Sequence, residues 1–302
     1  MRHDLDHHEG QRVSRRRLIA GVGSIGLAGL LAACGRDGGT VTTSTGETVS
    51  PQATASTSAD LAALFGAANT CTLTASTTQG PYYFDADKIR SDIREDRAGT
   101  RLRVAIRVQD SEQCGPLADA VVEIWHCDAA GLYSGAEAQS SGASGGGAPS
   151  GGTPPSGTPG GNPPTGNPPG GGAAPGGGAE GSAADLTPTD DKRYLRGAQV
   201  TNADGIVEFT TIWPGWYRGR TTHIHAMVHV GDNRVLTTQM MFDETLNSRV
   251  YAAAPYAAHT GRDTFNDNDS IYAETMLTKV VEDGDGYLSV INFSVDADRD
   301  GT

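Results

Sequence analysis

Three histidines at alternate positions, His223, His225 and His229 with Met227 among them, fall in the β-rich run from Thr222 to Val230. Period-2 geometry puts all three on one face of a strand. His223 and His225 then sit roughly 7 Å apart at the backbone, close enough for both rings to converge on one metal ion. His229 lies about 13 Å beyond His225 and does not join them. An H-x-H pair by itself serves as a metal site or as two surface histidines on a polar strand face. Its setting adds information. Immediately upstream is Trp213-Pro214-Gly215-Trp216-Tyr217-Arg218-Gly219-Arg220, an aromatic loop ending in arginine. Earlier, the apolar run from Val121 to Cys127 feeds a Gly loop bearing Tyr133, and Gln79-Gly80-Pro81-Tyr82-Tyr83 supplies further aromatic groups.

The elements that must position these residues read as strands. Arg101 to Val108 alternates strictly, with apolar residues directed inward and arginines outward. Ala120–Cys127, Gly205–Ile212, Thr222–Val230, Arg234–Phe242 and Tyr287–Val295 are further β-rich runs, separated by turn sequences such as Asn202-Ala203-Asp204-Gly205 and Gly231-Asp232-Asn233. Only Leu246 to Tyr256 suggests a helix, stopped near Pro255. Short strands with tight turns and no βαβ alternation predict an all-β fold, an antiparallel β-sandwich with long loops and few short helices.

Together the three separated motifs, in this order, resemble the intradiol ring-cleavage dioxygenases, the non-haem iron(III) family that opens catechols. The resemblance covers about residues 70–296, apart from a Gly/Pro-rich insertion. It implies that Tyr133, Tyr217, His223 and His225 ligate one Fe(III) per chain, Tyr217 and His225 axially, Tyr133 and His223 equatorially. Two phenolates are hard anionic donors suited to a ferric ion. The resemblance further implies that Arg220 stabilises charge on the bound substrate and that Gln239 supports Arg220 by hydrogen bonding. Tyr217 would act as a base, and Pro81, Tyr82 and Trp216, with Arg220, would line the substrate pocket. The implied reaction converts a small aromatic diol and O2 to a cis,cis-muconate-type dicarboxylate, with both oxygen atoms retained. Two departures stand out: the Tyr217–Arg220 interval is shorter than in the cytoplasmic protocatechuate and catechol enzymes, and residues 36–70 leave no room for the catechol enzymes' helical N-terminal dimerisation region.

Around this unit the composition marks tails and an insertion. Ser14-Arg15-Arg16-Arg17 precedes the apolar run Leu18 to Ala33, which ends in Leu31-Ala32-Ala33-Cys34. At about 16 residues the run is short for a membrane span. The pattern fits a twin-arginine type export signal over residues 1–33, ending in a lipobox that makes Cys34 the lipidation site. Residues 34–65 then form a Ser/Thr/Gly-rich linker, and residues 66–302 one domain interrupted at about 137–184. From Ser141 to Glu180, 25 of 40 residues are Gly or Pro, a composition expected to be disordered. The expected location is the extracytoplasmic face of the membrane, held by the lipid anchor. Removing residues 1–33 takes away five arginines and three acids, so the net charge of −13 becomes −15. Such a chain is a poor partner for nucleic acid. His3, His7 and His8 leave with the signal.

The remaining titratable and sulfur residues read as structural. Cys71, Cys114 and Cys127 permit one disulfide without indicating its pairing, and none has zinc spacing. His126 reads as a buried structural residue, His229 as a strand-end surface residue and His259 as a loop residue. Tyr194, Tyr251, Tyr256, Tyr272 and Tyr287 read as packing residues, and Asp283, Asp285, Asp296, Asp298 and Asp300 as hairpin and tail acids. Two rival functions remain: a non-catalytic β-sandwich lipoprotein that binds aromatic ligands, and a zinc hydrolase built on the histidine pair. Complete retention of the two tyrosines, two histidines and Arg220 disfavours the first. The absence of a positioned carboxylate base disfavours the second.

Overall fold

The computed structural model of the chain describes residues 59–66, 68, 71–144, 185–231 and 233–299, with the dipeptides 41–42 and 48–49. Residues 1–33, expected to be an export signal, Cys34 as the expected lipidation site, most of residues 34–65 and residues 145–184 lie outside the described residues. Two four-stranded sheets face each other. One has the order β4 (Ile206–Ile212), β1 (Arg101–Asp110), β8 (Gly286–Val295), β7 (Lys279–Asp283). The other has the order β3 (Arg196–Val200), β2 (Val121–Trp125), β5 (His223–Val230), β6 (Asn233–Met241). Every pairing in the sandwich is antiparallel except β1 with β8, which run parallel.

Alternation decides what fills the space between the sheets. Leu102, Val104, Ile106 and Val108 of β1, Val122 and Ile124 of β2, and Ile224, Ala226 and Val228 of β5 point inward and are buried. They meet Val207 and Phe209 of β4 and Ile291, Phe293 and Val295 of β8. Burial of apolar surface at about 25 cal/mol per Å² makes this layer the main stabilising element. The strict in/out reading of β1 fails at Ala105, which faces outward yet is buried. Helix α1 (Ala59–Gly66) covers it, packing Leu61 and Phe65 against Ala105, Ile206, Leu288 and Val290.

Several sequence expectations are revised. Within the stretch read as a tether, Val41–Thr42 pairs with Thr48–Val49, and α1 follows. The first eight residues assigned to the insertion are helix α2 (Glu137–Ser144), despite a composition poor in large apolar groups. Ser140 explains its attachment: its hydroxyl accepts from Tyr133 N at 3.0 Å and donates to Ala136 O. The expected helix near Leu246 is α3 (Glu244–Tyr251), starting two residues earlier because Asp243 caps it by accepting from Thr245 N and Leu246 N. It ends before Pro255, and Tyr256–Ala258 forms a separate 3-10 turn. Strands β3 and β7 were not anticipated. Cys71 and Cys114 form the disulfide, leaving Cys127 free and buried. No helix among the described residues is long and apolar enough to cross a membrane.

Candidate active site

The outward face of the β3-β2-β5-β6 sheet carries the site. Register places Arg196, Trp125, His225 and Gln239 in one cross-strand row, one residue from each strand. The next row is Ala198, Glu123, Met227 and Thr237, while His223 pairs with Met241 on β6. The His223–His225 pair therefore sits on a central strand with neighbours on both sides. The Trp125 ring stacks on His225 at 5.0 Å between centroids and 2° between planes, which fixes the imidazole orientation.

Two loops cover this face and bring the tyrosines over it. In the first, Asp128 folds residues 128–132 into a compact turn, its carboxylate accepting from Ala130 N and Leu132 N at 2.9 Å each. Tyr133 follows, completely buried. In the second, Trp213 to Arg220 lies directly against that turn. A side chain at Gly215 would put Cβ 2.0 Å from the Asp128 carbonyl oxygen, so only glycine permits the approach. A third segment closes the remaining side. Gly80 has φ +72° and would place a Cβ 2.9 Å from His225 Cε1, bringing Pro81 and Tyr82 against the site.

The four candidate ligand groups converge. His223 Nε2 lies 3.2 Å from His225 Nε2 and 3.3 Å from Tyr217 Oη. The Tyr133 ring lies 5.9 Å from that of Tyr217 and 6.4 Å from that of His225. Tyr133 Oη is buried and makes no hydrogen bond of good geometry among the described residues. An orphaned buried hydroxyl is costly and needs an explanation. Protonation supplies one. Burial, reinforced by nearby Arg220, lowers His223 to a pKa of about 3, and burial drives His225 well below its ordinary value. Both rings are therefore neutral at pH 7. His223 Nδ1 lies 2.6 Å from Thr221 O, to which it can only donate, so its Nε2 lone pair faces the site. Burial raises both phenols far above 10 although nearby Arg220 opposes the shift, so neither ionises without a stronger cation in direct contact. Two neutral imidazole nitrogens and two buried phenols fit a hard cation of high charge.

Arg220 is held beside this centre. Its Nη2 donates to Gln239 Oε1 at 2.5 Å, and its Nε donates to Asp269 Oδ2 at 3.0 Å. The Tyr82 ring stacks on Tyr133 at 4.7 Å, and Trp216 is buried under His259, with ring centroids 3.9 Å apart. Pro81 is exposed at the rim. His259 is thus no free loop residue but the support of Trp216. His229, expected at the surface, is 4% exposed. A bulge at Val228/His229 shifts it relative to β6, and the segment around Phe84 to Ile89 covers that end of the sheet. It takes no part in the His223–His225 convergence. His126 is buried between Cys127 O and the Thr211 hydroxyl.

Sequence reasoning missed two residues here. Asp269 sits in an irregular loop with no motif to announce it. Arg196, fully buried, donates through Nε to the Ser134 hydroxyl and through Nη2 to the Tyr82 and Ser134 carbonyls. It ties the Tyr82 segment to the Tyr133 loop, and nothing in the sequence around it marks it as functional.

Solved structures match this fold. The chain is similar to the intradiol ring-cleavage dioxygenase from Tetranychus urticae, with 28% sequence identity and a TM-score of 0.59, over 75% of this chain and 96% of that one. A second solved dioxygenase is 29% identical with a TM-score of 0.58, over 75% and 96% of the respective chains. No protein-family profile and no curated protein matches the chain. In fold and sequence the chain is similar to the intradiol ring-cleavage dioxygenases. That likeness supports an oxidoreductase of the dioxygenase class.

Proposed function

We propose that this enzyme is a ferric non-haem dioxygenase that cleaves catecholic rings between the two hydroxyl-bearing carbons. The observation that carries the reading is the convergence of two neutral imidazoles and two buried phenols beside an anchored arginine. Tyr133, Tyr217, His223 and His225 would hold the iron, one per chain. Bound ferric iron supplies Lewis acidity that draws electron density from a chelated catecholate and makes its ring reactive towards dioxygen. The chain's own groups do the rest. Tyr217 Oη, as the phenolate that a bound ferric ion would sustain, would accept a phenolic proton from the incoming diol. Arg220, permanently cationic, stabilises negative charge that develops on the substrate. Gln239 holds Arg220 in place, while Tyr82 and Trp216 enclose the ring with Pro81 at the entrance. One catechol and one O2 combine into a cis,cis-muconate-type dicarboxylate.

The reading extends to location. The arginine run ahead of Leu18–Ala33 and the Leu31-Ala32-Ala33-Cys34 sequence support twin-arginine export and lipid anchoring at the extracytoplasmic face of the cell membrane. The test is turnover of catechol under isotopically labelled dioxygen. Two labelled oxygens in a ring-opened dicarboxylate are expected. Catechol that binds but is recovered unchanged would contradict the enzyme and favour the aromatic-binding lipoprotein.

A further inference from the structure

The structure assigns to Asp269 the positioning of Arg220, an inference that rests on the ring-cleavage reading above. The Asp269 carboxylate is completely buried, and the Arg220 side chain is only 16% exposed. One carboxylate oxygen, Oδ2, accepts from Arg220 Nε at 3.0 Å and from Thr221 N at 2.7 Å. The other accepts from Ile271 N at 2.8 Å. On the opposite side Arg220 Nη2 meets Gln239. The guanidinium is planar and rigid, so grips at Nε and Nη2 fix its plane and leave Nη1 without a partner among the described residues. Gln239 alone would leave it free to pivot.

Asp269 also anchors the backbone that carries Arg220. It holds Thr221 N, while Thr221 O takes the His223 Nδ1 contact at 2.6 Å. The surrounding loop is fastened for this purpose. Arg262 donates to both Glu244 oxygens at 2.6 and 2.8 Å, and Asn266 Oδ1 accepts from the Thr221 hydroxyl at 2.7 Å. Gly219 N donates to Asp263 at 3.0 Å. Residues 219–221 are thus tied to residues 262–269 along their whole length. Charge stabilisation by an arginine is effective only when the group is oriented before the charge develops. Asp269 does that orienting without touching substrate.

Asp269→Asn tests it, because one amide oxygen cannot serve three N–H donors facing two oxygens. The expected result is a tyrosinate-to-iron(III) band at the parent's wavelength, a parent-like shift on anaerobic catechol binding, and kcat lower by about 10–100-fold. Asp269→Glu restores part of that rate. In an Arg220→Gln background Asp269→Asn costs nothing further, since the group it acts through is gone. An equal loss in both backgrounds, an unchanged kcat, or a displaced resting band would overturn the assignment. If Asp269→Asn does not fold, Asp269→Glu carries the test with a smaller loss of kcat and an unmoved band; unchanged kcat there contradicts it. A parent protein without the band would instead fail the ring-cleavage reading. A crystal structure of the Asp269 variant then decides positioning alone: Arg220 displaced supports it, Arg220 in place refutes it.

Discussion

At the residue scale the chemistry depends on groups whose ordinary ionisation the fold suppresses. Tyr133 and Tyr217 are phenols that burial keeps protonated, and His223 and His225 are imidazoles that burial keeps neutral. A cation of high charge reverses the first effect and exploits the second. Tyr217, which contacts both His223 and the Tyr133 ring, is the group whose proton affinity the reaction would use. Tyr217→Phe is expected to keep catechol binding and lower turnover by about 100-fold or more, the scale of a lost general base. Steady-state rates beside a binding titration check this; unimpaired turnover would remove Tyr217 from the proton path. These residues were legible because they occur in motif strings around Trp213–His225 and Trp125–Tyr133. Asp269 and Arg196 were not, because each acts across a long sequence separation from an otherwise ordinary segment.

At the element scale, the sheet supplies the histidines and the loops supply the tyrosines. Alternation in β5 predicted the shared face of His223 and His225, and cross-strand register adds Trp125 and Gln239 to the same row. Period-2 arguments cannot see register, so the stack of Trp125 on His225 could not be read beforehand. Strand β3 escaped because Arg196-Gly197-Ala198-Gln199-Val200 has little β-branched content, and pairing with β2 makes it a strand. Gly197 itself is required, since a Cβ there would meet Ile93 at 2.6 Å. The joint between the two tyrosine loops gives the clearest element-level prediction. Gly215→Ala drives a Cβ into the Asp128 carbonyl at 2.0 Å, and backbone must move. We expect destabilisation of about 3 kcal/mol and loss of the iron-tyrosinate colour. Gly219→Ala is the control: its φ is +82° but the space is open, so a cost of about 1 kcal/mol is expected with the colour retained. Denaturant unfolding with a spectrum at each step separates them, and equal effects would deny the loop joint its role.

At the scale of the whole molecule, a catalytic sandwich is preceded by a sequence that reads as an export signal and tether. The sandwich was legible because alternation and turn signals recur at regular spacing. The parallel β1–β8 pair was not, since it joins residues 185 positions apart, Arg103 with Leu288 among them. Buried neutral histidines give the molecule a defined acid limit. His126 is held at about 4 against an ordinary 6.5, chiefly by burial. Because the folded state refuses the proton that the unfolded state takes, stability falls as pH drops from 6.5 towards 4, by about 3 kcal/mol for this residue, and the slope then vanishes. His223 and His225 extend the loss to lower pH. In His126→Gln the slope of unfolding free energy against pH should be smaller by about one proton over that window; an unchanged slope would contradict the account.

The central claim is the ligand set, and a visible absorption spectrum of the purified protein addresses it most directly, with catechol then added in the absence of oxygen. Two tyrosinates on ferric iron should give a burgundy resting protein, and catechol binding should move the band to longer wavelength. A colourless protein that is fully loaded with a metal other than ferric iron would contradict the iron-tyrosinate centre and return the zinc and carrier readings to consideration.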